Sequence, residues 1–299
     1  MGRLLSGLLA IAVTVALSPA ASAESETYVI KDGVSQPIFD YQHAIRETAW
    51  VETGRDDDHD GILDRVAADI IRPSEPAARG QRIPVIMDVS PYYEKVGRGN
   101  ERQPKTYAPD GTPEQFPLFY DNYFVPRGYA VVLVDIGGTN RSSGCFDEVA
   151  AGRSVVDWLN GRAKGFRSLD GTSEMKAGWA NGSVGAIGKS QDGAAAIGLA
   201  VTGVPGLKTV VPIAGVASYY EVHNSDGAAF SPLFTDPYFA YNEHAKTACA
   251  KHDADNAIRL GANGDYNDAW AELNYAARVG NVRASVLVSH GFFDLNVQP

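Results

Sequence analysis

A chain of 299 residues with a formal net charge of −10 has room for one large α/β domain carrying an inserted subdomain. The negative balance argues against nucleic acid or an anionic membrane surface as a partner. Only Cys145 and Cys249 carry sulfhydryls, and their separation excludes a compact cysteine-based metal site.

Arg3 supplies a thin positive start, residues 4–17 are an apolar run, and Ala21-Ser22-Ala23 supplies small residues for cleavage. That pattern predicts a secretory signal peptide over residues 1–23, too short for a comfortable membrane span. No later stretch approaches the length of a transmembrane segment. The expectation is an exported, soluble, extracellular protein. In that compartment Cys145 and Cys249 form one disulfide or stay as two buried thiols.

Residues 41–52 and 65–71 read as strands flanking Asp56-Asp57-Asp58-His59-Asp60-Gly61. Asp56, Asp58, Asp60 and Asp64, with Gly61 at the sharp turn, follow the spacing of a calcium loop. Ala67 stands where the closing bidentate Glu belongs and offers no side-chain oxygen. Two readings stand, an acidic hairpin turn and a calcium site. No other cofactor is expected.

Runs 83–89, 130–136, 184–187, 208–213 and 284–288 are short, apolar and β-rich, and read as buried parallel strands. Between them, 149–160 and 193–201 pattern as helices. The alternation predicts a doubly wound, mostly parallel α/β sheet with its chemistry at the carboxyl ends of the strands. Residues 24–217 form the first part of that core. Residues 218–280 break the rhythm and read as a helical cap, with 267–278 one helix; ordinary crossover helices are the alternative. The core resumes over 281–299.

Gly188-Lys189-Ser190-Gln191-Asp192-Gly193 lies between a strand and an apolar helix. Glycines let the backbone crowd itself at such a turn, and the serine Oγ is pushed into a cleft. The helix leaving Ser190 aims free N–H groups at the same spot, which suits a developing oxyanion. A glycine-rich turn whose serine caps the helix is the bland alternative. An activated serine needs a base and a group that orients it. Asp294 sits just past the last strand, where an orienting carboxylate belongs.

At these residues the sequence resembles the X-prolyl dipeptidyl aminopeptidases. The resemblance runs through Gly188-Lys189-Ser190, Thr202 to Lys208, Ser218-Tyr219-Tyr220, Glu272-Leu273-Asn274-Tyr275 and His290-Gly291 to Asp294-Leu295-Asn296-Val297. It is looser to cocaine-esterase-like and α-amino-acid ester hydrolases. The resemblance implies an α/β-hydrolase core with an inserted helical cap and a C-terminal β-sandwich. The implied activity is release of N-terminal Xaa-Pro dipeptides from peptides with proline at the second position.

Ser190 then matches the nucleophile and Asp294 the triad acid. The backbone N–H of Gln191 matches one oxyanion donor, and Tyr92, or Tyr93 in its place, the second. The loop with Arg141-Ser142-Ser143-Gly144 is read as structural. Tyr219, Tyr220, Phe230 and Phe239 are candidates for a proline pocket, and Glu221 for binding the free amine. Two departures stand out: Gln191 replaces the tyrosine common after the nucleophile, and no histidine follows Asp294. His290 matches the family's His-Gly segment rather than its base. The expectation is therefore a C-terminally truncated chain with impaired turnover. An esterase or acylase and an inactive exported module are the competing readings.

Overall fold

The computed structural model describes residues 28–95, 104–224, 237–261 and 264–297. The expected signal peptide and Phe230 lie outside those residues. Among the described residues no helix is long and apolar enough to cross a membrane.

Eight strands form one sheet: β1 (Ile45–Glu52), β2 (Arg65–Arg72), β3 (Ile83–Ser90), β4 (Ala130–Asp135), β5 (Gly165–Phe166), β6 (Ala180–Lys189), β7 (Leu207–Ile213) and β8 (Ser285–Val286). Their order across the sheet is β8-β7-β6-β3-β4-β2-β1-β5. From β4 to β8 every neighbouring pair is parallel, whereas β1, β2 and β5 pair antiparallel. The sheet is therefore mixed and mostly parallel. The acidic segment joins β1 to β2, which pair from Ile45↔Arg72 to Glu52↔Arg65, so it is a hairpin connection.

Alternation along the strands sorts side chains onto two faces. Val132 and Val134 of β4 share a core with α1 (Glu148–Leu159) and α2 (Gln191–Ala200), through Val155, Trp158 and Leu199. Val131 and Leu133 face the other way, against Phe116 and Val125. Helix α1 begins where the Asp147 carboxylate accepts from the N–H groups of Val149 and Ala150, which satisfies two otherwise orphaned donors. At Gly198 the helices approach closely: a Cβ there would sit 2.6 Å from Val149 Cγ2 and 3.0 Å from Tyr275 Cζ.

Between β7 and β8 lie α3 (Tyr219–His223), α4 (Ala245–Ala248), α5 (Ala250–Leu260) and α6 (Asp268–Glu272). The helix expected over 267–278 is thus broken. Asn267 caps α6, Leu273 ends it, and a 3₁₀ turn follows at Ala276–Asn281. The break has a tertiary cause: Asn274 bridges to Ser218, and the Tyr275 side chain turns inward to a buried carboxylate. The last strand is also shorter than its sequence implies. Only Ser285–Val286 ladders regularly, although the N–H groups of Leu287 and Ser289 still donate to Val210 and Pro212. Leu287 and Val288 are 65% and 64% exposed, so this edge has no apolar cover among the described residues.

Cys145 and Cys249 are disulfide-bonded, with Cα atoms 5.6 Å apart. The bond ties the loop after β4 to the start of α5, beside buried Tyr241 and Ala245. That loop is held from its other side by buried charges. Lys105 Nζ lies 2.7 Å from Asp135 Oδ1 and 3.0 Å from Asp69 Oδ2, and Arg141 also pairs with Asp69. Arg141 is therefore a fastener of the loop, as expected of a structural segment.

Candidate active site

Ser190 joins β6 to α2 with φ 62° and ψ −124°, a backbone conformation that costs a residue with a side chain about 1–3 kcal/mol. Two features hold it there. Its N–H donates to the Ile213 carbonyl at 2.9 Å, tying the turn to the end of β7. Gly193 allows the close crossing beneath: a Cβ there would lie 2.8 Å from the Ile213 oxygen and 2.9 Å from Gly215 Cα. The Ser190 side chain makes no cap hydrogen bond to its helix. Helix capping, the bland reading of this serine, is therefore not its role here.

Asp294 lies at the same end of the sheet. Strand β7 ends at Ile213 beside Ser190, and Ile213 in turn bridges in parallel to Ser289, five residues before Asp294. Two strand spacings, about 10 Å, separate the ends of β6 and β8. Asp294 Oδ1 accepts from the N–H groups of Asn296 and Val297, both at 3.0 Å. Those two backbone bonds hold its carboxyl below the usual carboxylate range, helped by the nearby charges of His290 and Lys189. It is an ionised acid with a fixed orientation.

His290 is engaged by its own loop. Its Nε2 is 2.8 Å from the Val297 carbonyl oxygen, to which it donates, and 4.0 Å from Asp294 Oδ2. It braces the loop that carries Asp294.

Burial separates the two tyrosines. Tyr93 is 1% exposed and its hydroxyl donates to Asp88, with Lys105 Nζ 4.2 Å above its ring. Tyr93 is thereby committed to the interior. Tyr92 is half-buried, packs its ring 6.4 Å from that of Phe239, and stands near enough to Tyr219 to oppose that phenol's ionisation.

Beneath the serine turn lies a polar group that sequence reading missed. Glu148, at the first turn of α1, is 4% exposed. Its carboxylate accepts from the Tyr219 hydroxyl at 2.9 Å, the Tyr275 hydroxyl at 2.7 Å, and the Gln191 side-chain amide. Gln191 Nε2 also donates to the Tyr219 hydroxyl. Burial pushes the Glu148 carboxyl up to about 7, against the pull of these three donors. Tyr219 is therefore an internal anchor and does not line a proline pocket. Tyr220 packs edge-on against Tyr266 and Trp270, at 5.0 and 5.5 Å between ring centroids, and Glu221 is exposed. Glu148 was invisible in sequence because a Glu after an N-cap Asp reads as a surface helix start. Its partners stand 43, 71 and 127 positions away.

In the β1–β2 connection, carboxylate oxygens of Asp56, Asp58 and Asp64 fall within 4.8 Å of one another. Asp60 does not join them; its Oδ1 accepts from the Ile62 N–H at 2.7 Å. Asp56 Oδ1 and Oδ2 accept from Asp60 and Gly61 N–H, both at 3.1 Å. Burial, then the neighbouring Asp58, Asp57 and Asp56 charges, push the Asp64 carboxyl up to about 7.

Strand order and serine turn together define the class, an α/β-hydrolase. A family model described as X-Pro dipeptidyl-peptidase (S15 family) matches residues 60–298, and the chain belongs to that family. A provisionally named Xaa-Pro dipeptidyl-peptidase of Streptomyces avermitilis is 49% identical over 271 residues, covering 88% of this chain and 40% of that protein. The Xaa-Pro dipeptidyl-peptidase of Streptococcus gordonii strain Challis is 30% identical over 334 residues, covering 92% of this chain and 43% of that one. The chain thus spans less than half the length of these two relatives. Among solved structures, a provisionally named dipeptidyl aminopeptidase IV from Bacteroides ovatus superposes with a TM-score of 0.51 at 14% identity. It covers 86% of this chain and 29% of that one, a likeness of fold alone.

Proposed function

We propose that this chain carries the nucleophile of an exported serine hydrolase that releases N-terminal Xaa-Pro dipeptides through an acyl-enzyme. The observation that carries the reading is Ser190: held at φ 62° at the carboxyl end of a central strand, its side chain is not spent on capping the helix behind it. In this mechanism Ser190 Oγ attacks the prolyl carbonyl. The N–H of Gln191 and the phenol of Tyr92 receive the developing oxyanion, and Asp294 orients the base that takes the serine proton. The family to which the chain belongs supports proline at the second position of the substrate. No histidine follows Asp294 in the sequence, and the base is left unassigned in this reading. Export rests on the pattern of residues 1–23.

A fluorophosphonate probe tests the nucleophile. Labelling of the wild type at Ser190, absent in Ser190→Ala, is the expected result. No label on either protein favours an inactive exported module. Chromogenic Gly-Pro and Ala-Ala amides, compared with short acyl esters, then test the substrate. Turnover of Gly-Pro amide alone supports the dipeptidyl-peptidase, and turnover of esters alone sinks it in favour of an esterase or acylase.

A further inference from the structure

We propose that Glu148 is a positioning residue for the oxyanion site, holding Gln191 so that its backbone N–H faces the oxygen to be stabilised. This rests on the reading of Ser190 as nucleophile. Gln191 is the first residue of α2 and follows the strained serine directly, so its peptide plane determines where that N–H points. Its side-chain amide is engaged by two groups, Glu148 Oε2 and the Tyr219 hydroxyl. Both anchors are buried: Glu148 is 4% and Tyr219 4% exposed, and Tyr275, which bonds the other carboxylate oxygen, is 2% exposed.

A carboxylate is a costly choice for such a place. Burying a charge is unfavourable unless it is fully hydrogen-bonded, and an apolar side chain of similar volume would fill the space at less cost. Stabilising the start of α1 through its dipole does not require burial, since an exposed first-turn Glu does the same. What the carboxylate adds is a strong, directional acceptor for the Gln191 amide. The groups around it come from several elements: Tyr219 on α3, Tyr275 after α6, Gln191 on α2, and Asp147 beside it, itself 3.0 Å from Arg55. Burial raises the carboxyl toward neutrality, while Tyr219 and Tyr275 are pushed well above their ordinary range and stay neutral. Around neutral pH, Glu148 is therefore the group of this set that changes charge. Its protonated form must give up acceptor capacity, which alters the hold on Gln191.

Phenylboronic acid is the probe for the test. The serine Oγ adds to boron, an O–B bond forms, the serine proton leaves to solvent, and the anionic tetrahedral adduct sits in the oxyanion site. Affinity is read by calorimetry from pH 5.5 to 8.5, with thermal melting as the check on folding. Glu148→Ala is expected to weaken binding about tenfold or more, up to the roughly 10²–10³ that outright loss of an oxyanion donor costs. Glu148→Gln, which keeps an acceptor oxygen, should stay within about threefold of wild type at pH 8 and lose the inflection that wild type shows near neutrality.

Wild-type affinity in Glu148→Ala, or a wild-type inflection surviving in Glu148→Gln, overturns the positioning role. If Glu148→Ala does not fold, the Glu148→Gln profile decides alone. Wild-type binding that persists in Ser190→Ala is a different failure: it overturns the nucleophile reading and the positioning role with it.

Discussion

Lys105→Met provides the sharpest test of how the fold holds the loop behind the site. The Lys105 side chain is 1% exposed between Asp69 and Asp135, both 0% exposed, at 3.0 and 2.7 Å. Removing the ammonium leaves Asp69 with Arg141, but leaves Asp135 with only the Asn140 amide at 3.0 Å and the Arg141 N–H at 3.4 Å. Breaking a buried pair from one side costs about 3–5 kcal/mol, and that is the loss expected at pH 8.

The sign of the pH dependence follows from the two acids. Burial raises the Asp135 carboxyl above its ordinary value despite Lys105, so its favourable contribution is full below 3.8 and fades as pH rises through its folded value. Burial also opposes ionisation of Asp69, but Lys105 and Arg141 overcome it and hold that carboxyl low, so its contribution fades only as pH falls. Without Lys105, Asp135 moves further up and takes a proton more readily. The deficit of the variant should therefore be smaller at pH 5 than at pH 8. Urea unfolding followed by tryptophan fluorescence reads both, and adding Asp135→Asn should recover part of the loss. A deficit under about 1 kcal/mol at pH 8, or one equal at both pH values, refutes the reasoning.

Three further outcomes follow from the same structure. Replacing both cysteines with serine opens a loop with a sequence separation of 104 and should cost about 4–5 kcal/mol, read as a lower urea midpoint; a change under 1 kcal/mol would show the unfolded chain to be little constrained by the bond. Ser190→Gly relieves the positive-φ strain and should raise stability by roughly 1 kcal/mol while abolishing fluorophosphonate labelling, and destabilisation would contradict the strained turn. Glu148 carries a folded pKa of about 7 against an ordinary 4.5, so its contribution is full below 4.5 and lost as pH rises through 7. That is on the order of 3 kcal/mol, and Glu148→Gln should flatten this part of the stability–pH curve.

Local order along the chain made much of the architecture legible. The apolar strands and the glycine-flanked turn each report on a few neighbouring residues, and the structure keeps the strands, the last of them shortened to Ser285–Val286. Helices α1 and α2 begin within two residues of their expected starts because Asp147 and the Ser190 turn mark those boundaries locally. The helix expected over 267–278 failed for the complementary reason. Its pattern was satisfactory, but Tyr275 finds a better partner in Glu148 than a helix surface provides, and the backbone breaks to reach it.

Composition, periodicity and motif spacing by themselves determined that this is a doubly wound α/β chain with a serine on a strained turn, since those signals depend on residues a few positions apart. Tertiary structure alone decided that Cys145 joins Cys249, that Tyr93 is interior while Tyr92 is half-buried against Phe239, and that Tyr219 anchors a buried carboxylate. Each of those outcomes depends on which distant groups share a low-dielectric interior. There a polar atom must find a partner wherever the fold brings one.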